Sequence, residues 1–144
     1  MFAPDDLSVA IDGSDLTGQD FTAVPSTPYH QWAAATITNG MTNAMQDADG
    51  DGVFNEAEWV MDSDPMLSNA AFAASMISFD INAVVYFESS TRRMYSLQYR
   101  DDLLTGVWAG VAGCTNVRGA GFTNLADPAV TLTNRFYRLK VAVP

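Results

Sequence analysis

Apolar residues recur along this chain with two rhythms, and the change from one to the other marks its organisation. Leu7, Val9 and Ile11 alternate with polar or small residues, a GSDLTG turn follows, and FTAV starts at Phe21, so residues 1–27 read as an arm of one or two strands. Pro25, Ser26, Thr27 and Pro28 then interrupt the pattern. Thr27 is placed to cap a helix and Pro28 to fill its first position, where a missing N–H costs nothing. Tyr29, Trp32, Ala33 and Ile37 share one face at helical spacing, which predicts a short helix with that stripe turned into a core, and Asn39-Gly40 ends it. Beyond Pro65 the period falls to two. Runs at about 72–80, 83–89, 93–100, 107–112, 116–123 and 130–143, separated by hairpin-length turns, predict six short antiparallel strands. In the last run Phe136 and Arg138 share one face and Tyr137 takes the other; the expectation is that Phe136 lies in the core.

The chemistry is concentrated in twelve residues from Asp47, DADGDGVFNEAE. A hard cation takes six to eight oxygen ligands, and an EF-hand loop supplies them from positions 1, 3, 5, 7, 9 and 12, with glycine at 6 for the sharp turn. Those positions are Asp47, Asp49, Asp51, Val53, Asn55 and Glu58, with Gly52 at the turn. The aspartates and Glu58 would give carboxylate oxygens, Val53 its backbone carbonyl, and Asn55 its side-chain oxygen directly or through water. Phe54 at position 8 is expected to point inward. A solvated acidic turn would not need glycine at 6, an apolar residue at 8 and glutamate at 12 together, so the expected cofactor is Ca²⁺. After Glu58 the chain runs into WVMDSDP, which leaves about two helical turns before Pro65, and Asn39-Gly40 sits too close upstream for a long incoming helix. This is an EF-hand loop without two full EF-hand helices.

That arrangement resembles the single aspartate-rich calcium repeats, related to thrombospondin type 3 repeats, of secreted and cell-surface bacterial proteins. The matching pieces are Tyr29 and Trp32, the loop from Asp47, Asn55 to Trp59, and Ser63-Asp64-Pro65; Asp62 stands where such repeats commonly have glycine. A small C-terminal β domain often follows in such proteins, and YSLQYRDDLLTGVW from Tyr95 with RFYRLKV from Arg135 is similar to its pattern. The expected fold is therefore α+β, mainly β: an antiparallel sandwich or open barrel, residues 69–144, behind a helix–calcium loop–helix module at 28–68 and the arm at 1–27.

Composition narrows the function. With 48% apolar and only 17% charged residues, against about 25% charged in an average soluble domain, much of the surface is uncharged or engaged with a partner. The net charge of −10 argues against nucleic acid and against an anionic membrane surface. No run approaches the ~20 apolar residues of a membrane span. Charge is also segregated: residues 1–91 carry 14 acids and no Lys or Arg, whereas residues 92–144 carry all seven basic residues and three acids. Cys114 is the only cysteine, so no intramolecular disulfide can form, and His30, the only histidine, reads as a surface or helix-terminal residue. MFAPDD has neither the basic nor the apolar region of an export leader, and a lone calcium loop suits millimolar extracellular calcium, so a mature, exported chain is expected.

These features favour a structural protein, a cell-surface or extracellular filament subunit whose copies meet head to tail, acidic half against basic half. A calcium sensor would expose a Met-rich groove between full helices; Met41, Met45, Met61 and Met66 surround the loop but are read as core filler. The alternative is an adhesive, glycan-binding module using Trp108, Tyr86, Tyr95 or Tyr99, although alternation places most of these in the core. No pair of carboxylates stands out as a glycosidase site, so no enzyme is expected.

Overall fold

The computed structural model describes residues 27–68, 72–128 and 135–144. The alternating arm at Leu7, Val9 and Ile11 lies outside the described residues.

Helix α1 spans Pro28–Thr36, as its cap predicts: Thr27 is extended, its hydroxyl accepts the His30 N–H, and Pro28 opens the helix. Tyr29, Ala33 and Ile37 are buried along one side, with Trp32 partly covered beside them. They pack with Ala48 and with Trp59 of helix α2, Asn55–Met61. The Trp59 ring stands edge-on to Tyr29 with centroids 5.7 Å apart. Between the helices the Tyr29 hydroxyl donates to the Thr42 carbonyl, and the first N–H groups of α2 go to loop carbonyls, Asn55 to Gln46 and Glu56 to Ala44. The loop thus closes onto the start of α2 without an incoming helix.

The rest is mainly β, with antiparallel pairing throughout. Strands β1 (Ala74–Phe79), β2 (Ala83–Ser89) and β6 (Gly121–Asp127) form one sheet in the order β1-β2-β6. In the other sheet β3 (Met94–Arg100) is central, paired along its length with β7 (Phe136–Ala142) and on its second side with the two-residue strands β4 (Ala109–Gly110) and β5 (Val117–Arg118). Alternation places Val85 and Phe87 of β2, Leu125 of β6, and Tyr95 and Leu97 of β3 in one core, closed by Val111 and Cys114. The expected strand at 116–123 is two strands in different sheets, because the chain changes sheet at Gly119. A Cβ there would lie 2.2 Å from the Ser90 carbonyl oxygen and 2.8 Å from the Tyr95 ring, so only glycine permits the crossing.

The expected register of the last strand is inverted. Tyr137, Leu139 and Val141 pack against the core, whereas Phe136 is 37% exposed and shares the outer face with Arg138 and Lys140. Tyr137 is held inside because its hydroxyl donates to buried Asp127 at 2.9 Å, and burial first, then that bond, pushes its pKa up to about 12. The Arg135 guanidinium, 4.0 Å over the Tyr99 ring, bridges Asp127 and Asp101 at 2.8 Å each. An aromatic with a hydroxyl to bury beside a carboxylate thus outcompetes a more apolar neighbour of similar size.

Leu97, fully buried in β3, should cost about 2–5 kcal/mol when replaced by alanine. Phe136→Ala should cost about 1 kcal/mol or less in the same urea titration. A larger loss at Phe136 than at Leu97 would mean that Phe136 belongs to the core after all.

Candidate metal centre

The acidic loop is built by short-range hydrogen bonds between carboxylates and the backbone that follows them. Asp47 Oδ1 accepts from Gly50 N at 2.7 Å and its Oδ2 from Gly52 N at 2.8 Å. Asp49 Oδ1 accepts from Asp51 N, and Asp51 Oδ1 from Val53 N at 2.8 Å. Each bond turns the chain back on itself, and Gly52, at φ +94°, supplies the left-handed residue the turn needs. The outcome is that oxygens of Asp47, Asp49 and Asp51 lie within 4.8 Å of one another, a group that could hold a metal ion. A carboxylate has about four lone-pair positions, so accepting N–H bonds leaves capacity for a ligand. With Val53 N–H engaged, that residue's possible contribution is its carbonyl.

Glu58 stands outside this group of three but belongs to the same electrostatic site. It is 1% exposed, on the first turn of α2, and its Oε2 has no hydrogen-bond partner; neither has the buried Oδ2 of Asp49. Burial first, and then the neighbouring charges of Asp49, Asp51, Asp47 and Asp64 in that order of effect, together push the Glu58 pKa from 4.5 up to about 7. Asp49 is raised as well, by burial and by its two aspartate neighbours, whereas the backbone N–H of Gly52 leads in holding Asp47 low. Two orphaned carboxylate oxygens beside three aspartates fit an all-oxygen cation site, because a hard cation would satisfy the lone pairs and neutralise the repulsion together.

Asn55 has a different task from the one expected of it. It is fully buried; its Oδ1 accepts from Ala48 N, and its Nδ2 donates to the carbonyls of Met41 and Asn43. Those three bonds tie the loop to the segment before it, so Asn55 holds the backbone that presents the ligands. Phe54, expected inside, is 50% exposed. It lies with Met45, Val60, Met61 and Val141 along an open apolar groove between the loop, α2 and β7. Met41, Met45 and Met66 are exposed too and are not core filler. Without an incoming helix, no second helical face is present to cover these residues.

The residue that joins this loop to the β domain was not evident from sequence. Asp62 ends α2 in the left-handed conformation, φ 66°, where glycine would be unstrained. Its carboxylate, nearly buried, accepts from Ser90 Oγ and Arg92 Nε and lies 3.4 Å from Arg93 Nη2. Arg93 is itself buried, and its guanidinium donates to the carbonyls of Trp59 and Val60, the open C-terminal end of α2. A cation at that end meets both unpaired carbonyls and the negative end of the helix dipole. The available sequence signal was the Arg92-Arg93 pair itself, the first basic residues after 91 without any. His30 is where expected, exposed at the start of α1 with its ring nitrogen 2.8 Å from Thr27 Oγ1. Among the candidate sugar-stacking residues, Tyr95 is buried, Tyr99 lies beneath Arg135, and Trp108 carries the guanidinium groups of Arg138 and Arg100 at 4.5 and 5.3 Å. Only Tyr86 faces outward as part of an open pair, stacked on exposed Phe122.

Compared with protein-family models, curated proteins and solved structures, the chain matches none.

Two outcomes follow from the site. Because the folded pKa of Glu58 is raised, protonated Glu58 contributes stability that is full below pH 4.5 and lost as pH rises through about 7. In chelator, the melting temperature should therefore decline across that window, and Glu58→Gln should flatten the decline. Arg93→Ala, which leaves Asp62 and two carbonyls without their buried cation, should cost about 3–5 kcal/mol in chemical unfolding. Arg92, whose side chain is 75% exposed, should cost no more than about 1 kcal/mol.

Proposed function

We propose that this chain is an exported calcium-binding structural protein, a subunit of a cell-surface or extracellular filament, in which Ca²⁺ stabilises the module that docks on the β domain. The observation that carries the reading is Glu58, a buried carboxylate with an unpartnered oxygen beside three clustered aspartates. Calcium fits that donor set better than magnesium, since it accepts six to eight oxygens in flexible geometry whereas magnesium demands near-ideal octahedral coordination and keeps its water. Asp47, Asp49, Asp51 and Glu58 would hold the ion, with the Val53 carbonyl completing the loop and Asn55 supporting it from behind. A single site rigidly fastened through Arg93 suits a permanent structural ion rather than a switch that opens a helix pair. Millimolar calcium outside the cell is enough for such a site, which is the argument for export.

Assembly is supported by how the charge is distributed in space. On the outer face of the second sheet, Arg100, Arg118, Arg138 and Lys140 have no close ion-pair partner among the described residues, while Asp47, Asp49, Asp51, Glu56 and Asp64 gather on the helical module. Opposite poles on one chain favour contact between unlike ends of neighbouring copies. The second reading, an adhesive glycan-binding module, draws on the outward Tyr86–Phe122 pair.

With Ca²⁺ at a hundred times its dissociation constant, linkage gives about 2.7 kcal/mol, so adding calcium to chelated protein should raise the melting temperature by several degrees, and magnesium by less. Glu58→Gln should abolish the gain. Negative-stain images of native material with and without chelator test the filament. A monomer at high concentration in calcium that binds glycan, and loses it on Tyr86→Ala, would support the adhesive module instead.

A further inference from the structure

Strand β1 departs from how sheet edges are ordinarily protected. Among the described residues it pairs only with β2, and its sequence, ASMISF, holds no charge and no proline. Natural edge strands carry such residues to prevent pairing with another chain. Register places Ile77 opposite Val85 and Phe79 opposite Ala83, both buried, so Ile77 and Phe79 stand on the core-facing side of the sheet. Yet Ile77 is 43% exposed, Phe79 62% and the following Ile81 80%. The apolar inner face of this sheet therefore extends one strand beyond what the second sheet covers.

We propose that this edge accepts a strand formed by residues 7–11 of a second copy. Three observations select that occupant. Leu7, Val9 and Ile11 repeat at the two-residue spacing of Ile77 and Phe79, so a strand laid along β1 presents its apolar side chains beside those two uncovered ones, with exposed Ile81 in the turn just beyond. Residues 7–11 carry no charge, as β1 carries none, so neither pole of the chain opposes the pairing. The segment is tethered to Thr27 by 15 residues, 12–26, which in extended form reach about 50 Å, enough to cross to a neighbour. Main-chain hydrogen bonds along the free edge would supply affinity, and the matched apolar rows would fix the register. The assignment rests on the reading of this chain as an assembling subunit and names the joint: each copy donates its N-terminal segment to β1 of the next, a contact that propagates when donor and acceptor ends face different neighbours.

The test uses the full chain in calcium with Cys114→Ala as background. Val9→Cys and Ile77→Cys are made in separate proteins, mixed, and treated with a short bis-maleimide. A crosslinked heterodimer is expected, along with fast-sedimenting species that Ile77→Lys reduces to folded monomers of unchanged melting temperature. Crosslinking only within a chain that carries both cysteines would overturn the exchange and assign the segment to its own β1. Large assemblies that survive Ile77→Lys and give no crosslink would overturn this joint while leaving the filament reading intact. Assemblies that persist after deletion of residues 1–24 and are lost on Ile77→Lys would mean that β1 pairs with β1 and that the donor is wrong. A wild-type monomer at all concentrations with no intermolecular crosslink would sink both.

Discussion

A carboxylate that is buried, with one oxygen unpartnered and like charge around it, is the constraint on which the helical half of this protein depends. Glu58 cannot move to water, because it sits on the first turn of a helix whose other contacts, Trp59 against Tyr29 and Asn55 under the loop, fix its position. Nor can the aspartates retreat, since each is held by N–H bonds from the residues that follow it. Folding therefore creates the repulsion, and only a proton or a cation at Glu58 relieves it. The proton is the weaker remedy, as it leaves the Asp49 oxygen orphaned. A metal ion would serve both atoms.

The same economy of contacts explains how a seven-residue helix can support a site. Helices this short are not stable by themselves. Both ends of α2 are fastened from outside: Gln46 and Ala44 carbonyls accept its first N–H groups, and Arg93 donates to the Trp59 and Val60 carbonyls of its last turn. Asp62 connects these devices, because the carboxylate that closes the helix also holds the Arg92-Arg93 pair at the start of β3. The loop and the β domain consequently share one ion-paired joint, and order in one is transmitted to the other through a helix barely longer than that joint.

How much of this could be read from the chain depended on whether the determinant was local. Thr27 and Pro28 define a helix start by their own chemistry, and the loop residues from Asp47 define a ligand spacing, so the start of α1 and the three clustered aspartates were legible. The strands were legible as runs, because alternation survives wherever one face is buried. What failed depended on partners distant in sequence. Phe136 and Tyr137 are equally good apolar candidates until Asp127 is placed beside the Tyr137 hydroxyl. Phe54 reads as an anchor only if a second helix covers it, and the role of Asn55 required knowing that Met41 and Asn43 offer their carbonyls from below. Asp62 and Arg93 are 31 residues apart, and no pattern in either stretch announces the pair.

Seen in space, the segregation of charge along the chain resolves into two populations. Arg92, Arg93 and Arg135 are spent within the fold on Asp62, Asp101 and Asp127, and burial of both partners makes the Arg93–Asp62 and Arg135–Asp127 pairings structural. Arg100, Arg118 and Arg138 are spent on carbonyls, an amide or an aromatic ring, and among the described residues neither they nor Lys140 form a close ion pair. Their shared face of the sheet bears no acid on β3 or β7, and Asp102, just beyond β3, tempers the field only at Arg100. Neutralisation inside one molecule thus accounts for the first group and leaves the second available for an acidic surface. Since residues 1–26 contain five aspartates and no basic residue, the flanks of a donated strand would bring such a surface into the neighbouring copy's field. Apolar spacing would then choose the edge, and charge would choose the orientation of approach.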